Sequence, residues 1–540
     1  MTRFCALSLT FLVFASARVA SAWQHDHGSD EPERMGTVQF ETSCSPEVHD
    51  EFNQAVATLH SFGYRKSAQL FAEVLSRDST CSMAEWGIAM SRYRQLWDPP
   101  TPDDLKVGLD AAQSGLSMRP KTQRESDYLS AILSFYQNAG SENHSVRARR
   151  YEAAMETLHN RYPQDSEAAI FYALSLIANA SHSDKTYADQ KKATQILEPI
   201  YREQPGHPGL AHYIIHADDN PALAHLAVSA AQRYSQIAPD SPHALHMPSH
   251  IFTRLGLWDE SIASNLASAA SARKQKLAGD ELHATDYLLY AYLQTGRIRE
   301  AHILTQQLPK VEPGDAATYA GLYATSAIPA RYCIERRKWA AAAALPLPSP
   351  SHHGDAYRST EGTLYFARAL GAARAGDTNA AREAMKPMLS LRDLLAQGGD
   401  HDMDEVNIHL KIVGAWIQWA GGDHSSAQEE MRTAAAMEAA TEKSPVSPGS
   451  IAPAAEMLGD MLLLAKQPKL ALEAYESSLK SSPGRLRAEY GAAVSARQAG
   501  LRPMAEQHYA KLLKSCSHAD SEVAELAEAR NFIGKNRTSR

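Results

Sequence analysis

Four histidines stand in two pairs: His212 and His216 in HPGLAHYIIHADDNP, and His246 and His250 in HALHMPSHIF. Within a pair the spacing is four, which on an α-helix puts two imidazoles on one face, a turn apart. From one pair to the next both members shift by 34 residues, the length of one helix–turn–helix unit in a repeat array. Equivalent helices of successive units would then turn two imidazoles each toward a common space. Packed helix axes lie about 8–10 Å apart, so rings from both sides could meet at one metal ion through bonds of about 2.0–2.1 Å. Neutral imidazole is the commonest metal ligand, and four of them suit Zn, Cu or Fe better than Mg or Ca. His243 or His283 would serve as a fifth or supporting ring, with Asp218, Asp219 or Asp286 fixing a ring tautomer.

Positioning these side chains requires a regular helical scaffold, and the sequence supplies a recurring cadence for one. TRLGLWDESIASNLASA, LQTGRIREAHILTQQL, RAGDTNAAREAM, WAGGDHSSAQEEM, LAKQPKLALEAYESSLKSSP and RQAGLRPMAEQHYAKLLKSC share it. Each has a turn residue ending one helix, a small residue about five positions later where helices touch, and apolar residues at helical spacing. Roughly ten such hairpins are expected. Pro-containing connectors at LWDPPTPDD, LPLPSPSHHGD and EKSPVSPGSIAP interrupt the array, because proline lacks an amide donor and disfavours helix before it. Alanine is frequent and aromatic content only 8%, a composition that favours close helix packing.

Met1–Ala22 reads as a secretory signal peptide, with Arg3, an apolar run and Ala20-Ser21-Ala22 as the cleavage site. No later stretch approaches about 20 apolar residues, so no transmembrane segment is expected after cleavage. The chain is therefore expected in the periplasm or secreted. Cleavage moves the formal charge from −8 to −10, which does not favour nucleic acid. Residues 23–40 are polar and without helical period, and read as a flexible lead; the solenoid is expected over 41–535. In an oxidising compartment Cys44 and Cys81 could clamp the first hairpin.

The cadence resembles the tetratricopeptide repeat. The phrases TSCSPEVHDEFNQAVATLHSFGY, CSMAEWGIAMS, HPGLAHYIIHA, HMPSHIF, HATDYLLYAYLQ, IPARY and TEKSPVSPG resemble those of exported bacterial proteins of this type. The resemblance implies an all-α, tetratricopeptide-type solenoid of helical hairpins with a concave groove. It further implies that positions 2, 5 and 9 of each first helix line that groove. Aligned on Gly256 and Ser261, these positions fall on His243, His246 and His250; aligned on Gly296 and Ala301, on His283, Asp286 and Tyr290. His212 and His216 take positions 5 and 9 of the preceding repeat, and Arg331 position 9 of a later one.

Two functions are consistent with this arrangement. A binding role would use the groove for a protein, peptide or small-molecule partner, held by His243, His283, Asp286, Tyr290 and Arg331, with or without a transition metal at His212, His216, His246 and His250. Alternatively, a metal there with an open position could act as a hydrolase or a copper or iron oxidoreductase. No HExxH motif, G-x-S-x-G elbow, phosphate loop or dinucleotide fingerprint adds to the enzyme reading.

Overall fold

The computed structural model describes residues 33–96, 99–308, 318–347, 355–398 and 402–537. Among them every regular element is helical, and each helix packs chiefly against its chain neighbours. The described residues form an all-α, tetratricopeptide-type array of helical hairpins. The signal-peptide segment lies outside the described residues. No described helix is long and apolar enough to cross a membrane.

The cadence explains how the hairpins close. At Gly256, Gly296, Gly376, Gly422 and Gly500 the backbone takes positive φ, which glycine adopts without a Cβ penalty. The amide of the next residue then reaches back five positions, as from Leu257 to Phe252 O (2.8 Å) and from Asp377 to Ala372 O (3.0 Å), capping the finished helix. A new helix follows at once. The small residue five positions after each turn, Ser261, Ala301, Ala381, Ala427 and Ala505, has no exposed surface. Any larger side chain there would separate the paired helices.

Two features depart from the expected plan. Residues 33–40 do not form a free lead: Met35, Val38 and Phe40 are buried, Thr37 N donates to Gly206 O (3.0 Å), and Arg34 pairs with Asp240 (3.1 Å). Three irregularly spaced apolar side chains and these polar contacts, not a helical period, seat this segment. Secondly, the array returns on itself. Trp258 Nε1 donates to Gly484 O (3.1 Å) and Leu486 N to Gln294 Oε1 (3.0 Å), while Asp520 N donates to Gly296 O (3.0 Å). Cys44 and Cys81 are disulfide-bonded, and Cys333 and Cys516 are free and buried.

Candidate metal centre

Three helices carry the histidines. Pro208–Asp218 bears His212 and His216; Pro242–His246 continues through Met247 into Pro248–Arg254 and bears His243, His246 and His250; Ala278–Gln294 bears His283. Pro208, Pro242 and Pro248 all stand in first-turn positions, where the missing amide is not needed.

The rings do not gather as one four-histidine set. They form two triads, His212/His216/His243 and His246/His250/His283, in each of which the ligating nitrogens lie within 4.8 Å of one another. Each triad takes an HxxxH pair from one helix and completes it with a histidine from the next helix in the series. His243 and His283, expected as supporting rings, are full members.

The tautomers follow from the partners. His212 Nδ1 lies 2.6 Å from His60 O, which can only accept. His250 Nδ1 lies 2.9 Å from Asp219 Oδ2; Lys443 and Arg254 hold that carboxyl well below the usual carboxylate range despite its burial. His246 Nδ1 lies 2.7 Å from Asn265 Oδ1, an acceptor because Asn265 Nδ2 donates to Ser261 O (2.8 Å). All three rings therefore carry their proton on Nδ1, and each Nε2 is a bare lone pair. His212 Nε2 lies 2.9 Å from His243 Nε2 and 3.0 Å from His216 Nε2, where a neutral neighbouring ring can donate to it. His246 Nε2 and His250 Nε2, in contrast, stand 3.0 Å apart, and two lone pairs at that distance repel without a cation between them. Nitrogens bound tetrahedrally at about 2.0–2.1 Å would lie about 3.3 Å apart, a few tenths wider than found.

A proton could replace that cation only if a ring became imidazolium. Burial opposes this and lowers the pKa of all six rings, with His250 partly restored by Asp219. His283 Nδ1 is buried without a hydrogen-bond partner. Phe62 packs against His212, His216 and His243, and Tyr287 against His246, His250 and His283, so the centre sits in an aromatic shell.

Asp286, Tyr290 and Arg331 are not brought to an open groove. Asp286 and Arg331 form an ion pair (3.0 Å) with no exposed side-chain surface. Arg331 also donates to Gly449 O (3.0 Å), and Tyr290 Oη accepts from Arg485 (2.6 Å). The returning segment of the chain thus occupies the space where a partner was expected to bind. Locked against Arg331, Asp286 does not fix a ring tautomer. Asp219 is the carboxylate that supports a ring, whereas Asp218 accepts from Thr194 (3.1 Å).

Sequence reasoning missed Asn265 and Tyr287, which lie outside the HxxxH spacing. It also missed the buried cluster behind His212, where His60 Nε2 and His207 Nε2 each contact Glu167 at 2.9 Å and Tyr213 Oη meets His60 Nδ1 (2.9 Å). Gly209 makes room for it, since a Cβ there would come within 2.5 Å of His60 Nδ1.

No family model matches the chain, and no curated protein does. Among solved structures it is similar to a chain of the APC/C heterotetramer Cut9–Hcn1, at 13% identity over 90% of each chain with a TM-score of 0.31. It is similar also to a chain of Naa15/Naa10 bound to HypK-THB, at 11% identity over 90% of this chain and 74% of that one, with a TM-score of 0.23.

Proposed function

We propose that this chain is an exported helical-repeat metalloprotein that holds a transition metal, Zn, Cu or Fe, in its buried histidine centre. One observation carries the reading: His246 and His250 each commit the Nδ1 proton to an oxygen acceptor and still direct both Nε2 lone pairs at one another across 3.0 Å. A purely structural pair would donate from one nitrogen to the other. Support from Asn265 and Asp219 is the outer-shell arrangement that orients metal-bound imidazoles. The disulfide between Cys44 and Cys81 is in keeping with an oxidising compartment.

A partner-binding scaffold is the competing function, but Asp286 and Arg331 are paired with each other, Arg331 also binds Gly449, and Tyr290 binds Arg485 of the same chain. The metal itself can supply chemistry, activating water or exchanging electrons. The test is elemental analysis by plasma mass spectrometry of untagged protein from the periplasm, wild type beside His212→Ala/His246→Ala. Bound transition metal, lost in the variant, is the expected result. Metal-free protein that takes up neither Zn nor Cu would remove the reading and return attention to partner binding.

A further inference from the structure

The two triads repeat one construction: an HxxxH pair plus one histidine from the first helix of the next hairpin, first 212/216 with 243 and then 246/250 with 283. They are also neighbours. His216 and His250 have ring centroids 6.0 Å apart, and His243 and His246 have theirs 6.4 Å apart. Each triad alone offers the three-imidazole set that leaves a tetrahedral ion one open position. A single ion would occupy only one of these two three-imidazole sets.

We propose that the centre is dinuclear, holding one divalent copper or zinc ion in each triad. This rests on the reading that the histidines bind metal, and extends it to two adjacent ions. With metal–nitrogen bonds of about 2 Å, rings this close keep the ions within roughly 12 Å. All six ligands are neutral imidazoles, a donor set suited to Cu and Zn. Asp219 ties the second triad to residues far along the chain, since it accepts from His250, Arg254 (2.8 Å) and Lys443 (3.1 Å).

The experiment loads the metal-stripped full chain with Cu(II), then counts copper and records the electron paramagnetic resonance spectrum. Wild type should bind two ions per chain, with the copper lines broadened by the neighbouring spin. His243→Ala and His283→Ala should each retain one copper with the full intensity of an isolated ion. His243→Asn and His283→Asn replace either variant that circular dichroism shows to be unfolded. One copper per wild-type chain, or a second copper that neither His243→Ala nor His283→Ala removes, would overturn the dinuclear proposal and leave metal binding standing. No copper bound at all would overturn both.

Discussion

At the scale of single residues, the centre depends on side chains that set tautomers as much as on the rings. Asp219→Asn should weaken metal binding about 10–100-fold, the usual cost of losing an outer-shell partner, as measured by competition with a chromophoric chelator. An unchanged affinity would mean that His250 needs no carboxylate. A second residue-scale prediction concerns His409, which stacks on Phe366 at 3.8 Å with Glu405 3.8 Å from its Nε2. Burial pushes its pKa down to about 3. Above about pH 6.5 both folded and unfolded states are neutral there; below it only the unfolded chain takes the proton, so stability falls with pH by up to about 1.4 kcal/mol per unit. His409→Gln should therefore lose about 2 kcal/mol less than wild type between pH 6.5 and 5 in urea unfolding; equal losses would contradict this. The HxxxH pairs were legible in the sequence because helical and repeat spacing both speak to them. Their division into triads was not, because it depends on how the next helix is rotated, which spacing alone does not give.

At the scale of elements, the turn glycines and the disulfide set the order of the array. Gly256 has φ of +68°, and a Cβ there would come within 2.7 Å of Pro483 O. Gly256→Ala should cost at least about 1–2 kcal/mol, seen as a lower melting temperature, and an unshifted melt would show that the turn can relax. The Cys44–Cys81 bond closes a separation of 37 residues, so a Cys44→Ala/Cys81→Ala variant should lose about 4 kcal/mol on loop-entropy grounds. Chemical unfolding of the two proteins measures the difference. The hairpins were readable from the turn-and-small-residue cadence, since a closely packed pair leaves that pattern in its own segment. Residues 33–40 were not, because a strap pinned by single side chains and one backbone bond has no period to detect.

Across the whole molecule, the return of the chain joins the centre to distant repeats. Arg485 binds Tyr290, Glu335 (2.8 Å) and Glu456, while Lys443 reaches Asp219. Repeat periodicity describes each unit's immediate neighbours and not the curvature summed over many units, so these long-range pairs left no mark in the sequence pattern. A ligand bound only by the folded state stabilises it by about 2.7 kcal/mol at a hundred times its dissociation constant. Chelation should thus lower the melting temperature of wild type and leave that of His212→Ala/His246→Ala unmoved. The most direct measurement of the central claim is anomalous diffraction at the metal absorption edge from crystals of the untagged protein. The expected result is one peak in each triad, about 2.0–2.1 Å from three imidazole nitrogens. Absence of anomalous density, with the rings bridged by water or turned apart, would contradict it.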